Sequence, residues 1–446
     1  MRFLIFASDE FMWSSLAWRL QHFEGHDVRI FADEKDGSLK LDGMVKHAKT
    51  MGEALRWVGR DGYILSNDES DVSKFRKMGF KVLGGNKFTA KIENSRAFGM
   101  EIAKKAGINI PNYHVIKNIK EGIKFVKENP DQYVIKQEGD APKAFNYVGI
   151  YEDGSDTIEQ LEWMAKQKNV ESVGFILQEF VEGIEFATAG FWMYDDWKRD
   201  DNGNIFIGIN REHKKAGDGD TGLTCGESGT VARFTTKDTK LFEQTLEKLT
   251  PILKEQASDV CISIDANCGI CEEDGEIKAY LYEWTPRTGF PISSLQEYLL
   301  NTEGGMFYAD LIDRKQGDID WKDEWGVVTV IGCGRYPNDL PNVPGSFKDQ
   351  PIEFPFKIEN WDEHISPNYI RYDSKKELFY LASEYEYIAD VTYSDKDISV
   401  ANDKCVETMK KIIVRAPNYR VDIGKRFKDK ELPKLINWGY INDWHS

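Results

Sequence analysis

Short apolar runs alternate with helical patterns in the first part of the chain. The first run, 3–7, is followed at 12–23 by apolar positions that recur at helical spacing. Further predicted strands lie at 28–31, 63–65 and 81–83, with a charged helix at 72–78 between the last two. Strands that alternate with helices indicate a parallel sheet with helices on both faces.

Polar residues follow two of these predicted strands. Ser8–Asp9–Glu10 and Asn67–Asp68–Glu69 stand at carboxyl ends of the predicted sheet, where ligands bind in such folds. Asp68 is therefore a candidate substrate contact. No glycine fingerprint follows the first strand, so a dinucleotide-binding fold is not supported.

A domain boundary is predicted near residue 110. A helical pattern at 91–106 is closed by Gly107, and Pro111 follows shortly afterwards. Residues 111–190 then form a small α+β unit in which one strand ends at Lys136 and another runs into QEFVEGIE (178–185). A lysine at one strand end and acids at another could hold the phosphate and the ribose or base of a nucleotide.

A larger sheet is predicted for residues 191–323. A long helix is expected at 239–258, and the strands 261–266 and 277–284 are expected to be joined by a turn at 272–275. Glu283 ends the second of these strands, and Asp265 stands beside it if the register allows. Two such carboxylates suit Mg²⁺, although a surface hairpin with incidental acids gives the same pattern. Residues 324–446 are read as a separate α+β domain.

The segment REHKKAGDGDTG (211–222) combines cations, acids and three glycines. Its glycine content predicts a loop rather than a helix or a central strand. His213 and Lys214, together with Asp218 and Asp220, place both signs of charge within reach of one ligand. A solvated surface turn remains the alternative interpretation.

Composition narrows the class of protein. The 446-residue chain is 41% hydrophobic and 30% charged, and its formal charge of −17 argues against a general nucleic-acid surface. No apolar run reaches the length of a membrane span, and the first residues do not resemble a secretory signal. The six cysteines include one CxxC pair, which is interpreted as reduced thiols rather than zinc ligands. A cytoplasmic protein, monomeric or homodimeric, is expected.

Several motifs in one order resemble phosphoribosylamine–glycine ligase (glycinamide ribonucleotide synthetase), a family of the ATP-grasp superfamily. EHKKAGDGDTG (212–222) is similar to the family's D-H-K-R-x-x-D-x-D-x-G, and QEFVEGIE to its E-E-F-L-x-G-E-E. YEWTPRTGFP (282–291) resembles L-E-F-N-x-R-F-G-D-P. The closing motifs GVVTVIGCGRYP (326–337) and YRVDIGKR (419–426), and LAWRL (16–20) near the start, extend the resemblance over most of the chain.

The resemblance implies an ATP-grasp fold with an N-terminal parallel α/β domain and a C-terminal α+β domain, and it implies residue roles. The ATP-binding residues would be Arg96, Lys136, Lys143, Gln178, Glu179, Phe180, Val181 and Glu185. The substrate-binding or catalytic residues would be His213, Lys214, Asp218, Asp220 and Arg287, and the Mg²⁺ (or Mn²⁺) ligands Glu283, Asp265 and Thr285. The implied reaction joins a carboxylate to an amine through an acyl phosphate, with ATP converted to ADP.

Three departures from the family pattern concern the substrates. ASDEFMWSS (7–15) replaces the glycine-rich G-x-G-G-R-E-H-A, and its Asp9 and Glu10 would repel a phosphate. GDAPKAFN (139–146) replaces G-L-A-A-G-K-G and keeps only Lys143 as a phosphate contact. Thr285 replaces a metal-binding asparagine, which makes Asp265 the candidate for the second ligand.

Three hypotheses therefore remain open from the sequence. The chain is a divergent glycine ligase of purine synthesis, a ligase of the same fold that uses another amine, or a non-catalytic nucleotide-binding relative. The altered N-terminal loop favours the second hypothesis over the first. The retained acids at 218 and 220 argue against the third.

Overall fold

A computed structural model describes residues 1–7, 14–32, 40–66, 72–137, 145–167, 174–334, 347–355, 361–384 and 387–442. All structural statements below concern these residues. Lys143 and Asp68, two of the predicted site residues, lie outside them, as do Asp9 and Glu10.

The N-terminal region is a five-stranded parallel sheet with strand order β3-β2-β1-β4-β5. Its strands are β1 (Arg2–Ala7), β2 (Asp27–Ala32), β3 (Lys46–His47), β4 (Tyr63–Ser66) and β5 (Lys81–Leu83). Its helices are α1 (Ser14–His22), α2 (Met51–Val58), α3 (Ser73–Lys77), α4 (Lys87–Asn94) and α5 (Arg96–Lys105). The parallel α/β prediction is confirmed. The helix predicted at 91–106 is two helices, because Ser95 ends α4 and caps α5 by accepting a hydrogen bond from the Phe98 amide.

The next region, called the lid here, is a four-stranded antiparallel sheet in the order β6-β9-β7-β8. Its elements are β6 (Tyr113–Ile116), α6 (Ile119–Glu128), β7 (Tyr133–Gln137), β8 (Tyr147–Val148), α7 (Ser155–Met164) and β9 (Phe175–Glu179). Apolar side chains of both helices and of three strands, among them Val126, Ile135 and Phe175, form a core of its own.

The remainder of the chain is built on a ten-stranded sheet. The strands after the lid are β10 (Ile184–Met193), β11 (Asp196–Trp197), β12 (Ile207–Gly217), β13 (Thr221–Thr235), β14 (Cys261–Glu273), β15 (Glu276–Thr285), β16 (Trp325–Cys333), β17 (Pro351–Ile352), β18 (Ile365–Pro367), β19 (Ile370–Asp373), β20 (Leu378–Leu381), β21 (Tyr387–Asp395) and β22 (Pro417–Asn418). The helices are α8 (Lys240–Gln244), α9 (Leu246–Gln256), α10 (Ile292–Leu299), α11 (Gly304–Ile312), α12 (Trp361–His364), α13 (Ile398–Met409) and α14 (Leu432–Asn437), with a π-helical turn at Phe427–Glu431.

The central sheet follows the path β15-β14-β10-β12-β13-β16-β21-β18, with β11 paired to β10 and β22 to β16. Strands β17, β20 and β19 form a separate three-stranded sheet. The predicted hairpin is present as β14 and β15. Because β13 pairs with β16, the boundary predicted after residue 323 falls between two strands of one sheet. The long helix expected at 239–258 is divided into α8 and α9 at Thr245.

The segment 211–222 is not the loop that its glycines predict. Residues 211–217 complete β12, which lies between β10 and β13 in the sheet, and only 218–220 form the turn. The glycines cluster at the end of the segment, and Gly219 and Gly222 take positive φ angles of 70° and 79° there. The six residues before Gly217 contain no glycine and are free to extend as a strand.

None of the described helices combines the length and the apolar character that a membrane span requires.

Candidate functional site

A lysine surrounded by three carboxylates marks the candidate site on the central sheet. The Nζ atom of Lys214 lies 2.8 Å from Glu185 Oε1, 3.2 Å from Glu212 Oε2 and 2.9 Å from Glu283 Oε1. These four residues, called the Lys214 cluster here, come from β10, β12 and β15. Three strands that are distant in sequence therefore supply one charged centre.

The strand register explains this convergence. Ala187 of β10 pairs with Asn210 on β12 and with Asn267 on β14, and Asn267 pairs in turn with Glu283 on β15. Directly paired residues share one face of a sheet. Residues 210, 212 and 214 alternate along β12, which brings Glu212 and Lys214 to that same face.

A β-bulge lies beside Glu283. The register steps from Asn267↔Glu283 to Cys268↔Leu281 and leaves Tyr282 without a partner in the ladder. Gly269 has no side chain where the Tyr282 ring lies. Bulges redirect side chains next to functional sites. This bulge takes Tyr282 out of the regular alternation of side chains along β15, which determines the face of the sheet on which Glu283 lies.

Two further cations border the cluster. Arg96, the first residue of α5, places a guanidinium nitrogen 2.9 Å from Glu283 Oε2. Lys136, at the end of the lid strand β7, donates a hydrogen bond of 2.8 Å to the carbonyl oxygen of Tyr282. Burial is the main cause that lowers the pKa of Lys136 to about 7; Arg96 and Lys214 act in the same direction, and Glu283 opposes them.

The charges of the Lys214 cluster shift the pKa values of its members. Burial opposes ionisation of Glu283, but Lys214, Arg96 and Lys136 hold its pKa well below the usual value. Lys214 and Arg211 likewise outweigh burial and lower the pKa of Glu185. Burial opposes the charge of Lys214, yet the three carboxylates raise its pKa well above 10.5. The pairs of Lys214 with Glu185 and Glu283 therefore exist as charged groups at neutral pH, whereas burial raises the pKa of Glu212.

The predicted adenine segment connects the lid to the central sheet. Gln178 is buried in β9, and Glu179 accepts a 2.8 Å hydrogen bond from Asn112. The amide of Phe180 donates to Gln132. The carbonyl of Val181 accepts a 2.8 Å hydrogen bond from the Tyr282 hydroxyl.

The other predicted metal and catalytic residues are placed nearby. Thr285 pairs with Asp265 across β14 and β15, two residues beyond the Asn267–Glu283 pair. Asp265 Oδ2 accepts a 2.9 Å hydrogen bond from Asn210, and burial together with Glu212 raises the pKa of Asp265 to about 7. Arg287 donates a 2.9 Å hydrogen bond to Glu93 of α4.

Asp218, Asp220 and His213 contact the C-terminal segment instead of the Lys214 cluster. Asp218 accepts a hydrogen bond from the Val421 amide, and Asp220 lies 2.8 Å from Arg420. His213 accepts a hydrogen bond from the Gly424 amide, and burial lowers its pKa to about 3. His213 is therefore neutral at physiological pH, and the expected cation at this position is absent.

Four residues of the site were missed as candidates from the sequence: Asn210, Glu212, Asn267 and Tyr282. Two of them, Asn210 and Glu212, lie on the same face of β12 as Lys214. This signal is visible only once 211–217 is read as a strand. Asn267 and Tyr282 depend on the β14–β15 register and its bulge. Nothing in their local sequence distinguishes them.

A group of three side chains of the kinds that bind metals lies elsewhere. Within the described ranges, one group of three acids or histidines has its ligand atoms within 4.8 Å of one another, and it consists of Glu24, His26 and Glu303. In the Lys214 cluster the ammonium stands between the carboxylates. A metal ion there would have to displace it.

Comparison with known proteins identifies ligases that this chain resembles. A profile of the family described as phosphoribosylglycinamide synthetase, ATP-grasp (A) domain, matches residues 94–262. The phosphoribosylamine–glycine ligase of Fusobacterium nucleatum is 26% identical over 371 residues, which cover 79% of this chain and 80% of that protein.

Solved structures share the fold. The crystal structure of phosphoribosylamine–glycine ligase from Thermotoga maritima superposes with a TM-score of 0.68 at 18% identity, covering 95% of this chain and 100% of the other. The biotin carboxylase domain of 2-oxoglutarate carboxylase from Hydrogenobacter thermophilus, solved with MgADP and bicarbonate, gives a TM-score of 0.59 at 11% identity. The match covers 99% of each chain.

These similarities confirm the ATP-grasp fold and the resemblance predicted from the motifs. They also bear out the prediction of an ATP-dependent ligase of this type. Residues 94–262 match the ATP-grasp domain of that family, and the chain is an ATP-dependent, amide-forming ligase that resembles phosphoribosylamine–glycine ligases.

Proposed function

We propose that the chain forms an amide from a carboxylate and an amine other than phosphoribosylamine, with the chemistry at the Lys214 cluster. The observation that carries the proposal is the convergence of Arg96, Lys136 and Lys214 on Glu283. Three cations around a carboxylate suit the phosphates of a nucleotide together with a metal ion. The MgADP in the relative from Hydrogenobacter thermophilus is consistent with this use of the fold.

ATP would lie between the lid and the central sheet. Lys136 and Arg96 would contact its phosphates, and Gln178 with the backbone of 180–181 would contact the adenine. Glu185 lies at the start of β10, directly after this connection, and would accept hydrogen bonds from the ribose hydroxyls. Lys136 and Tyr282 already link the lid to the central sheet, so a bound nucleotide would extend an existing contact.

The oxygen atoms around Glu283 fit a hard divalent cation, and we propose Mg²⁺. The amide oxygen of Asn267, opposite Glu283, is buried and has no hydrogen-bond partner in the part of the chain that the structure describes. Glu283, Glu212 and Asn267 would hold the ion, which supplies charge neutralisation to the phosphates when bound. Asp265, whose Oδ1 also lacks a hydrogen-bond partner among the described residues, and its strand partner Thr285 would lie two residues further along the same two strands as additional candidate ligands.

The chain's own residues would act by position and charge. Arg96 and Lys136 would neutralise the phosphoryl group as the substrate carboxylate oxygen displaces ADP and forms an acyl phosphate. Arg287, fixed by Glu93, would stabilise this intermediate. The neutral amine then attacks the acyl carbon, phosphate leaves, and the amine gives up its proton. The lid would exclude water, which would otherwise hydrolyse the acyl phosphate.

The amine substrate is the one that we expect to differ from the substrate of the relatives. The relatives with this activity are named for phosphoribosylamine, whose phosphate needs a basic or glycine-rich loop. The corresponding loop here, 7–15, carries Asp9 and Glu10 instead. The six cysteines are unbridged thiols, which together with the need for ATP favours a cytoplasmic location.

The test is a panel assay for ADP release. ATP and Mg²⁺ are supplied with glycine and phosphoribosylamine, and in parallel with other amino acids paired with other amines. We expect ADP release with at least one pair that lacks phosphoribosylamine. Release with phosphoribosylamine alone would contradict the altered-substrate proposal, and release with no pair would contradict the ligase activity.

A further inference from the structure

Tyr282 connects three parts of the candidate site. Its hydroxyl donates a 2.8 Å hydrogen bond to the carbonyl oxygen of Val181, in the predicted adenine segment between β9 and β10. Its own carbonyl oxygen accepts the 2.8 Å hydrogen bond from Lys136 of the lid. Glu283 of the Lys214 cluster follows it directly on β15. One residue therefore contacts both the adenine segment and the lid, next to a carboxylate of the cluster.

Two local features let the tyrosine reach the adenine segment. The bulge leaves Tyr282 without a partner in the β14–β15 ladder. Its ring lies over Gly269 of β14, where a Cβ atom would overlap the hydroxyl of Tyr282. Gly269 pairs with Glu185 of β10, so the ring extends from β15 across β14 towards the start of β10. The contact with Val181 therefore depends on the glycine at position 269.

The backbone amides of the adenine segment are not equally free. The amide of Glu179 donates to the carbonyl of Asn112, and the amide of Phe180 donates to the carbonyl of Gln132, each at 2.9 Å. Among the residues that the structure describes, no acceptor takes the amide of Val181. Val181 is thus the first residue of this segment whose amide is left for a bound base, and Tyr282 holds the carbonyl of the same residue.

We infer that Tyr282 is a positioning residue for base recognition, whose hydroxyl fixes Val181 so that the Val181 amide donates to the N1 atom of adenine. A donor that is restrained before binding gives a tighter complex than a mobile one, because less conformational freedom is lost on binding. The inference rests on the proposed function, since it takes ATP as the nucleotide at this segment.

The contact is a property of this chain and not of the motif that it resembles. The motif L-E-F-N carries a leucine at the position of Tyr282, and leucine offers no hydroxyl. The bond from Lys136, in contrast, uses a backbone carbonyl that any residue provides. The hydroxyl is therefore the part of Tyr282 whose role a substitution can isolate.

The surroundings of the hydroxyl suit a fixed contact rather than proton transfer. Burial raises the pKa of Tyr282 above its ordinary value, so the hydroxyl stays protonated at neutral pH. Its proton is directed at the carbonyl of Val181, which does not ionise. Tyr282 therefore contributes through position and not as an acid or a base.

Nucleotide binding to the full chain tests the inference without turnover. Calorimetry compares MgATP with the magnesium complexes of inosine triphosphate, whose N1 atom carries a hydrogen, and of tripolyphosphate, which has no base. Tyr282→Phe keeps the ring and removes the hydroxyl. We expect the affinity for ATP, and its ratio to the affinity for inosine triphosphate, to fall about fivefold, as for the loss of one hydrogen bond. The affinity for tripolyphosphate should not change.

Tyr280→Phe is the matched control. Tyr280 lies two residues earlier on β15, and its hydroxyl donates a 2.7 Å hydrogen bond to Glu273 within the same hairpin. Its loss should leave all three affinities at the values of the unmodified chain. Gly269→Ala tests the same contact from the other side, because its methyl group would displace the Tyr282 hydroxyl, and it should lower the ratio as Tyr282→Phe does. Thermal unfolding checks the fold of each variant.

Three results would overturn the inference. One is an unchanged ratio in folded Tyr282→Phe, and another is an equal loss of affinity for tripolyphosphate, which would assign the effect to the phosphates. The third is an equal loss in Tyr280→Phe. Failure of the ligase reaction gives a different result, because nucleotide binding would then be intact while no substrate pair releases ADP.

Discussion

Lys214 acts as an internal counter-ion for three acids. Without it, Arg96 and Lys136 would still compensate Glu283, and Arg211 would compensate Glu185, but the three carboxylates would lose their shared cation and resist ionisation more strongly. Its ammonium occupies the position between them that a metal ion and a nucleotide would use. In the proposed reaction, MgATP would displace this lysine, which would then contact a phosphate or the substrate carboxylate.

The first prediction concerns Glu283. Changing Glu283 to Gln removes the charge that Lys214 and Arg96 share, and with it the central ligand proposed for Mg²⁺. We expect ADP release to fall at least about a hundredfold, because positioned charge supplies most of phosphoryl-transfer catalysis. The fold should persist, as judged by circular dichroism. Activity near that of the unmodified chain would show that the metal assignment is wrong.

The second prediction concerns the protonation of Lys136. Burial lowers its pKa to about 7, so the free protein loses this positive charge as the pH rises above 7. A neutral amine cannot pair with phosphate, and ATP affinity should fall by up to about tenfold for each pH unit between 7.5 and 9. Calorimetric titrations with ATP at several pH values measure this slope.

An arginine at position 136 provides the control for that titration. Its guanidinium stays charged over this pH range, so Lys136→Arg should bind ATP with a nearly flat pH profile. An equal slope in both proteins would assign the pH dependence to another group.

At the scale of elements, the strands were easier to predict than their ends. Apolar runs identified β1, β4, β5, β7, β9 and the β14–β15 hairpin, because burial imposes the same pattern wherever a strand is covered. The charged end of β12 has no such pattern, since one face of it carries Glu212 and Lys214. Glycines at 217, 219 and 222 then dominate the local composition.

Local sequence patterns also determined which residues of the candidate site could be predicted. Lys136, Glu185 and Glu283 were predicted from motifs and meet in the structure, because each ends or begins a strand. The partners of Asp218 and Asp220 could not be predicted, since Arg420 and Val421 are about two hundred residues away in sequence. Such contacts depend on how the C-terminal segment crosses the sheet.

The third prediction tests a contact between α10 and β21. Asp390 is fully buried and accepts hydrogen bonds from Ser294 and Tyr387. Burial raises its pKa from 3.8 to about 7. A pKa that is higher in the folded state gives stability that is complete below pH 4 and is lost as the pH rises through 7.

Asn cannot ionise, so Asp390→Asn should lose less stability between pH 5 and pH 8 than the unmodified chain does. We expect the fall in melting temperature over that range to be at least about 2 °C smaller in the variant. Scanning calorimetry at both pH values measures it. Other buried acids titrate in both proteins, so the difference between the two isolates Asp390.

At the scale of the whole molecule, the described residues form one large core, the lid core and two smaller cores, one of which lies on the N-terminal sheet. The large core includes Phe3 from the N-terminal sheet, Trp284 from the central sheet and Ile423 near the C-terminal end. The lid core is confined to residues between Ile116 and Leu177. The lid is therefore packed as a unit of its own.

The last prediction follows from the continuity of the central sheet across residue 323. Strand β13 pairs with β16, and β16 contributes Val327, Val328 and Ile331, all fully buried. A fragment of residues 1–323 would expose an edge of β13 and the apolar face that β16 covers, and exposed edges of this kind aggregate. We expect this fragment to be insoluble when expressed alone and to be recovered with residues 324–446 when the two are co-expressed. Fractionation of the cell lysate and ATP binding by the recovered complex measure both outcomes. If residues 1–323 alone were soluble and bound ATP, the C-terminal region would be an independent domain, and the shared sheet would contribute little to folding.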